Sequence, residues 1–286
     1  MGKGDDPNCA AAGVPMSPHA IIGVTGSRAM TAAKPGGQPN EDDFVFDQQR
    51  GVAAIFDGMG GVRNGEEASR LAASTMQRII GALPAEGHLE GHAQRLLEQL
   101  RGELIVQRTV SSFLREADCT AVICVRDRDH VEIAWTGDSR AYLLTSDGAL
   151  DPLTADHDQF TDLSGEHRQL ISAILDEADG RSDAHGRGGT LGEHAFKFRN
   201  KVSSALSRGP IGSVRVPVSA DDAVILCSDG IHDNLRASEM RQIAAAHVTH
   251  RDEVIGALMQ AAITKAATGQ GRAKPDDTTA VLLSIS

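Results

Sequence analysis

The chain has 286 residues, a length that suits one large domain or two small ones, and its 28 basic and 39 acidic side chains leave a net charge of −11. This acidic balance argues against a nucleic-acid partner, because phosphates are neutralised by basic patches. Seven Phe, one Trp and one Tyr are also too few aromatic side chains for base-stacking platforms.

The cysteines and the apolar segments indicate the cell compartment. Cys9, Cys119, Cys124 and Cys227 are too few and too scattered for a disulfide framework, so we expect them to be reduced. No apolar run approaches the roughly 20 residues of a membrane span, and the N-terminus lacks the apolar stretch of a signal peptide. We therefore expect a cytoplasmic protein without a membrane partner, and a monomer by default.

The first part of the chain is predicted to run from a tail into strands. Residues 1–17 are rich in Gly, Pro, Asp and Ala without periodicity, which is typical of a mobile tail. Residues 19–27 are predicted to form a strand that leads into a Gly/Pro-rich loop at 29–40. Two short apolar strands are predicted next, at 43–46 and 51–56.

Two helices follow these strands. From Asn64 onward, apolar residues recur at the i, i+3, i+4 and i+7 spacing of an amphipathic helix. Asn64 is a favourable N-cap residue, and Glu67 three positions later completes a capping-box pattern. A second helical stretch covers about 89–115.

The middle of the chain returns to strands. Segments 119–125, 130–137 and 140–146 predict a β-meander that ends in an Asp147-Gly148 turn. Polar residues then dominate a variable, lid-like segment at about 155–200. The remaining predicted elements are a helix at 165–178 and a Gly cluster at 186–189 within that segment, a strand at 222–228, a helix at 237–267 and a strand at 279–285.

This order of elements indicates the fold class. Strands, two helices, more strands, a helix and a last strand do not follow the βαβ alternation of a doubly wound parallel sheet. The order is typical of an α+β sandwich of antiparallel sheets covered by helices.

Acidic residues recur where the predicted strands end. Asp42, Asp57, Asp229 and Asp276 lie at the end of an apolar strand or in the loop beside it, and Asp138 lies in a tight turn between two strands. If these carboxylates converge, each ionised pair 4 Å apart repels by roughly 4 kcal/mol at an effective dielectric of 20. Hard divalent ions such as Mg²⁺ or Mn²⁺ would relieve that repulsion. Spacing alone leaves the simpler interpretation open, since Asp-Gly pairs usually mark turns.

The motifs around these residues resemble a known family. The ordered set NED, DGMGG followed by GEEAS, TGDSRAYLL, CSDG and PDDTTAV closely resembles the bacterial type-2C, metal-dependent Ser/Thr protein phosphatases, the PPM family. The similarity extends over about 19–286. It implies a four-layer sandwich of two mostly antiparallel sheets covered on both faces by helices, in a single catalytic domain at 18–286.

The resemblance also implies roles for individual residues. Asp57 is expected to bridge two metal ions, with the Gly58 backbone carbonyl beside it, while Asp229 and Asp276 are expected to bind one of the ions. Asp57 and Asp229 are therefore expected to be essential for catalysis. The implied reaction is attack of a metal-bridging hydroxide on phosphoserine or phosphothreonine, without a phosphoenzyme.

Further positions match the family's outer ligands. Glu41 and Asp42 correspond to a Glu-Asp pair that reaches the metals directly or through water, and Asp138 is similar to a residue that, with Asp229, holds a third and weaker ion. Asp277 is interpreted as a neighbour of the site. The implied cofactors are two Mn²⁺ or Mg²⁺ ions with this third, and the implied partners are phosphorylated proteins and a cognate Ser/Thr kinase.

Two positions depart from the family pattern. Gly37 stands where bacterial members usually place a phosphate-binding Arg, and Met59 stands where animal and plant relatives carry a His. Arg28, Lys34 and Arg63 are basic residues that could replace the Arg, but an exposed position on a solvated loop is the simpler interpretation for each. The missing Arg places phosphate affinity in doubt.

Alternative functions follow from that departure. The chain could be a phosphatase-like module that binds a phosphoprotein or scaffolds a signalling complex with weak or no catalysis. It could also be a regulator that dephosphorylates one small partner, such as an anti-anti-sigma factor. A dinucleotide site is excluded at GMGG, because Arg63 stands where the third Gly of the fingerprint is required.

Overall fold

The computed structural model describes residues 19–24, 26–36, 38–59, 64–83, 92–111, 117–159, 161–163, 165–167, 169–171, 201–269 and 272–285. The predicted tail at 1–17, the Gly cluster at 186–189 and most of the predicted helix at 165–178 lie outside these residues. No helix in the described part of the chain has both the length and the apolar character needed to cross a membrane.

The described strands form two sheets. In chain order they are β1 (His19–Val24), β2 (Ser27–Ala32), β3 (Asp42–Asp47), β4 (Val52–Met59), β5 (Asp118–Cys119), β6 (Ala121–Asp127), β7 (His130–Thr136), β8 (Arg140–Leu144), β9 (Leu150–Pro152), β10 (Gly212–Pro217), β11 (Ala223–Cys227) and β12 (Thr278–Ser284). The first sheet has the order β1-β2-β12-β11-β8-β9. The second has the order β10-β7-β6-β4-β3, with β5 paired to the end of β4. Every pairing between these strands is antiparallel.

The described helices cover the outer faces of the two sheets. They are α1 (Asn64–Gly81), α2 (His92–Val110), α3 (Asp229–His232), α4 (Ala237–Ala246) and α5 (Val254–Thr268), with a 3₁₀ turn at Arg251–Glu253. α1 covers the stretch predicted as an amphipathic helix and buries a stripe of residues that includes Ala72, Met76 and Ile80 in the core. Such a stripe stabilises a helix mainly through the apolar surface that it buries.

Three hydrophobic clusters define a four-layer sandwich. Ala54 and Phe56 of β4 face α1 and α2, whereas Ala53 and Ile55 on the opposite face of the same strand pack against the first sheet. A third cluster joins the first sheet to α4 and α5. This alternation along β4 follows from the two-residue period of a strand. The predicted α+β sandwich of two antiparallel sheets is therefore confirmed.

Several predicted boundaries are wrong. The supposed loop at 29–40 begins as β2, which lies between β1 and β12 in the first sheet. The supposed single helix at 237–267 is two helices, α4 and α5, because the β-branched Val248 and Thr249 lie in the interruption between them and disfavour helix. β9 and β10 were not predicted.

The predicted meander is also wrong in its third strand. β6 and β7 pair in the second sheet, whereas β8 pairs with β11 and β9 in the first. The chain crosses between the sheets at Gly137, whose φ is +99° and where a Cβ atom would lie 2.6 Å from the Thr120 side chain. Only glycine suits this position. The crossing carries Asp138, the next residue, to the edge where both sheets meet.

Candidate metal centre

One edge of the sandwich collects the acidic residues, and strand pairing explains why. Asp229 follows β11, while Asp276 and Asp138 precede β12 and β8, the two antiparallel neighbours of β11. The end of a strand and the start of its antiparallel neighbour lie at the same edge of a sheet. The first sheet therefore brings these three aspartates to one edge.

The second sheet contributes a pair of aspartates to the same edge. The β3–β4 register places Asp42 directly opposite Asp57. The Ser228 hydroxyl, from the residue after β11, donates to Oδ2 of the buried Asp42 at 2.7 Å, and the backbone N–H of Thr279 donates to Ser228 Oγ at 3.0 Å. The Ser228–Asp42 bond joins the two sheets beside the acidic residues, and the Thr279 bond fixes Ser228 within the first sheet. We call Asp42, Asp57, Asp138, Asp229 and Asp276 the acidic centre.

The raised pKa of Asp57 reflects this convergence of carboxylates. Burial raises the pKa of Asp57 well above its usual range, and the negative charges of the other four members of the acidic centre raise it further. Neighbouring carboxylates destabilise the ionised form of one another when no cation lies between them. The acidic centre therefore favours binding of positive charge.

Other members of the acidic centre show the same effect. Burial raises the pKa of Asp42 to about 8, although hydrogen bonds from Ser228 and Thr279 lower it. Burial also raises the pKa of Asp138 well above its usual range, with Asp229 the largest charge contribution. For Asp229 itself, burial raises the pKa to about 6, while the ammonium group of Lys274 lowers it.

Lys274 lies among the carboxylates of the first sheet. Its Nζ is 2.5 Å from Asp229 Oδ2, 2.9 Å from Asp276 Oδ2 and 3.2 Å from Asp233 Oδ2. Burial alone would lower the pKa of this ammonium, but the three carboxylates raise it well above its usual range. Sequence reasoning missed both Lys274 and Asp233, because neither belongs to a motif that was expected to bind a cation.

A second ammonium lies on the loop before β3. Lys34 Nζ is 2.8 Å from Glu41 Oε2 and 3.3 Å from Asp277 Oδ2, and its side chain is 24% exposed. The interpretation of Lys34 as a solvated loop residue is therefore wrong. Arg28 instead donates to the Asp252 carbonyl at an exposed position. Gly37 and Arg63 lie outside the described residues.

Asp277 anchors this loop and has a structural role beside the centre. Its Oδ1 accepts a hydrogen bond from the backbone N–H of Lys34 at 2.7 Å, and its Oδ2 accepts one from the backbone N–H of Glu41 at 2.9 Å. Its side chain is buried. The prediction that Asp277 neighbours the site agrees with these contacts.

Close backbone packing surrounds the acidic residues. A Cβ atom at Gly58 would lie 2.2 Å from the carbonyl oxygen of Gly65 at the start of α1, and one at Gly230 would lie 2.0 Å from the Asp277 carbonyl oxygen. The Gly58 N–H donates to the Glu41 carbonyl at 2.9 Å. Glycine at these positions lets the strand and helix termini approach the centre.

Two histidines near the motifs support the Asp138 turn. His232 is buried and its Nε2 lies 3.0 Å from the Asp138 carbonyl oxygen, to which it donates. The backbone N–H of His157 donates to the Gly137 carbonyl at 2.9 Å, and its ring stacks on Trp135 with centroids 5.9 Å apart. Both histidines therefore have a structural role at the turn that carries Asp138.

The donor chemistry of the acidic centre fits a divalent ion. The candidate ligands are carboxylate and carbonyl oxygens, which are the donors that Mg²⁺ and Mn²⁺ prefer. Within the described ranges, no group of three or more His, Cys, Asp or Glu side chains is already arranged to hold an ion. The ammonium of Lys274 contacts the carboxylates of both Asp229 and Asp276. An ion that used both carboxylates would have to displace it.

Comparisons with known proteins agree with the resemblance of the motifs. The family model described as Protein phosphatase 2C matches residues 31–266. A serine/threonine phosphatase, stp, from Listeria innocua is 28% identical over 211 residues, which cover 71% of this chain and 77% of the relative. A putative protein phosphatase from Mycoplasma genitalium is 25% identical over 66% of this chain and 70% of its own.

Solved structures of bacterial phosphatases have a similar fold. Stp1 from Staphylococcus aureus matches with a TM-score of 0.71 at 19% identity, over 94% of this chain and 98% of that one. PstP/Ppp from Mycobacterium tuberculosis matches with a TM-score of 0.68 at 21% identity, over 90% and 97%. A PstP catalytic domain in complex with two manganese ions matches with a TM-score of 0.65 at 21% identity, over 89% and 95%. At these identities the likeness shows the shared fold.

Proposed function

This chain belongs to the protein phosphatase 2C family and is a phosphoprotein phosphatase, and we propose that it hydrolyses phosphoserine and phosphothreonine at the acidic centre with the help of divalent metal ions. The observation that carries this proposal is the convergence of carboxylates from both sheets, whose charges add to the effect of burial in raising the pKa of Asp57. A cluster of mutually repelling buried carboxylates is useful when cations bind between them.

In this proposal both sheets contribute ligands to the metal ions. Asp57 from the second sheet and Asp229 and Asp276 from the first would hold two ions between them, with the Gly58 carbonyl beside Asp57. When bound, such ions supply a water of lowered pKa and neutralise charge on the phosphoryl group. Ser228 supports the site by donating to Asp42 and so fixing its orientation.

The outer residues have weaker roles in the same scheme. Glu41 and Asp42 would reach the ions directly or through water, and Asp138 with Asp229 would hold a third ion. Mn²⁺ and Mg²⁺ both suit these oxygen donors. The two manganese ions in the complex of the similar PstP domain support a two-ion site as the minimum.

The substrates follow from the family and from the names of the relatives. We propose that the substrates of this protein are proteins phosphorylated by a cognate Ser/Thr kinase. We also propose that the protein acts as a monomer in the cytoplasm. With Gly37 in place of an Arg, recognition of the phosphate would rely more on the metal ions than on a guanidinium group. Weak phosphate affinity with intact metal binding is therefore expected.

Hydrolysis assays test the proposal directly. Turnover of p-nitrophenyl phosphate and of a phosphothreonine peptide is measured with Mn²⁺, with Mg²⁺ and with EDTA, and metal binding is measured separately by calorimetry. We expect turnover that EDTA abolishes and a higher rate on the peptide. Metal binding without turnover of either substrate would contradict catalysis and favour a phosphoprotein-binding module. Turnover unaffected by EDTA would contradict the metal mechanism.

A further inference from the structure

The ammonium of Lys274 lies in the place that the metal-binding proposal requires for an ion. It contacts Asp229 and Asp276, the two first-sheet carboxylates proposed to bind the same ion, at 2.5 and 2.9 Å. A divalent ion held by Asp229 and Asp276 would use these same carboxylate oxygens. The ammonium and the ion therefore compete for the same two oxygens.

Asp233 offers the ammonium a second partner. Its Oδ2 is already 3.2 Å from Lys274 Nζ, its side chain is buried, and it is not among the proposed metal ligands. Asp233 follows Asp229 by four residues, one helical turn away along α3. A small movement of the lysine side chain toward Asp233 would free Asp229 and Asp276 without leaving the ammonium unpaired.

The backbone of Lys274 is fixed, whereas its side chain is long enough to move. The Lys274 N–H donates to Asn234 Oδ1 at 2.8 Å, and its carbonyl accepts from Asn234 Nδ2 at 2.9 Å. Arg272 donates to the Asp233 carbonyl at 2.6 Å and holds the two segments together. These bonds keep the root of the side chain in place, while its four-carbon stem can redirect the charge.

From this arrangement we propose that Lys274 is an internal counter-ion that competes with the metal, lying between Asp229 and Asp276 in the metal-free protein and moving to Asp233 when an ion binds. The proposal rests on the metal centre of the proposed function. It makes Lys274 a positioning residue and Asp233 its second partner. Its consequence is that the metal-free protein stays folded with its carboxylates compensated, while loading requires a higher concentration of free metal.

Metal affinity without substrate tests the proposal. Calorimetry with Mn²⁺ compares wild type with Lys274→Met, Lys274→Arg and Asp233→Asn. The matched control is Lys265→Met, whose ammonium pairs with Glu239 at 2.8 Å between α4 and α5. We expect Lys274→Met to bind Mn²⁺ at least about tenfold more tightly, which is the scale of effects of residues beside a metal site. Lys274→Arg and Lys265→Met should remain near wild type.

The Asp233→Asn variant separates competition from a merely structural role. Removing the second partner should weaken Mn²⁺ binding, opposite in sign to the loss of Lys274. In the metal-free state Lys274→Met should also melt at a lower temperature than wild type. Lys274→Gln, which can still donate a hydrogen bond to Asp229, provides the same charge change if the Met variant does not fold.

The outcomes distinguish this inference from the proposed function. Mn²⁺ binding by wild type that is unchanged or weakened in Lys274→Met would overturn the role of Lys274 and leave the metal centre intact. Absence of Mn²⁺ binding in both wild type and Lys274→Met would overturn the metal centre and this inference together. Binding by Lys274→Met alone would support strong competition.

Discussion

The two ends of strand β11 carry aspartates with opposite surroundings. Asp222 precedes the strand, and its carboxylate accepts hydrogen bonds from the backbone N–H groups of Ser146 and Ser219 at 3.0 and 2.8 Å. Asp229 follows the strand, and its carboxylate faces Lys274 and other carboxylates of the acidic centre. The same residue type therefore closes a turn at one edge and assembles a charged site at the other.

The difference shows what distinguishes a structural from a functional carboxylate. A carboxylate that accepts from fixed amide groups is compensated by the fold itself. A carboxylate that faces others needs a cation, and the cation can be a lysine or a bound ion. Sequence position at a strand end does not separate the two cases, whereas the partners of each oxygen do.

The largest effect is expected at the acidic centre. Asp57→Asn and Asp229→Asn remove proposed metal ligands, so kcat/KM should fall by more than the roughly 100-fold loss typical of outer residues at metal sites. Both variants should remain folded, because each substitution also removes a charge that repels its neighbours. Steady-state kinetics and circular dichroism measure the two effects. Full turnover in either variant would contradict the assignment of these ligands.

A smaller loss is expected when the support of the centre is removed. Ser228→Ala deletes the donor to Asp42 and the acceptor of the Thr279 N–H. We expect turnover to fall about 10-fold to 100-fold, as for other residues that orient metal ligands. Ser146→Ala is the control, because Ser146 uses its backbone N–H at the opposite edge. Equal activities of the two variants would contradict a supporting role for Ser228.

At the opposite edge of the first sheet, a substitution should change the stability of the protein and leave its activity unchanged. Asp222→Ala leaves two backbone N–H groups without their acceptor, which should lower the free energy of unfolding by about 1–3 kcal/mol. Turnover per folded molecule should equal that of wild type. Urea denaturation and kinetics on the same sample check both statements. A loss of turnover beyond the unfolded fraction would break the contrast between the two edges.

A pH dependence of stability whose sign depends on metal is expected as well. The pKa of Asp42 rises from 3.8 to about 8 on folding, mainly by burial. Between these values the native state binds more protons than the unfolded state, so this group makes the metal-free protein less stable as pH rises. Bound Mn²⁺ should stabilise the protein more at pH 8 than at pH 5, since ions bind deprotonated carboxylates.

Thermal melting at pH 5 and pH 8, with EDTA and with Mn²⁺, measures this dependence. Asp42→Asn is the control and should make the decrease seen in EDTA smaller, while Asp57 and Asp138, whose pKa values are also raised, keep part of it. A melting temperature in EDTA that rises with pH in wild type and in Asp42→Asn alike would contradict the assignment to Asp42.

Much of the architecture could be predicted from local pattern. The helical period from Asn64 and the apolar run at 51–56 depend on residues close in sequence, and both agree with the structure. The crossing at Gly137 could not be predicted, because a Gly-Asp turn between two strands is also what a hairpin requires. β2 was missed because the Gly/Pro-rich sequence after it obscured a strand whose partners, β1 and β12, are set by tertiary pairing.

In the candidate site, too, residues in local motifs could be predicted and residues that depend on tertiary contacts could not. The acidic residues were identified from motifs, and the structure brings them to one edge. Lys274 and Asp233 were missed because their importance depends on contacts between segments about 40 residues apart, which no local spacing reveals. The role of Lys34 was also misjudged, since its partner Asp277 is distant in sequence.

The division of the acidic centre between two sheets affects how fast the molecule unfolds. Asp57 is carried by one sheet and Asp229 by the other, so the acidic centre is complete only after the two sheets have docked. Contacts that form late in folding slow unfolding more than they accelerate folding. A divalent ion bound between the sheets would therefore mainly slow unfolding and so lengthen the lifetime of the native state.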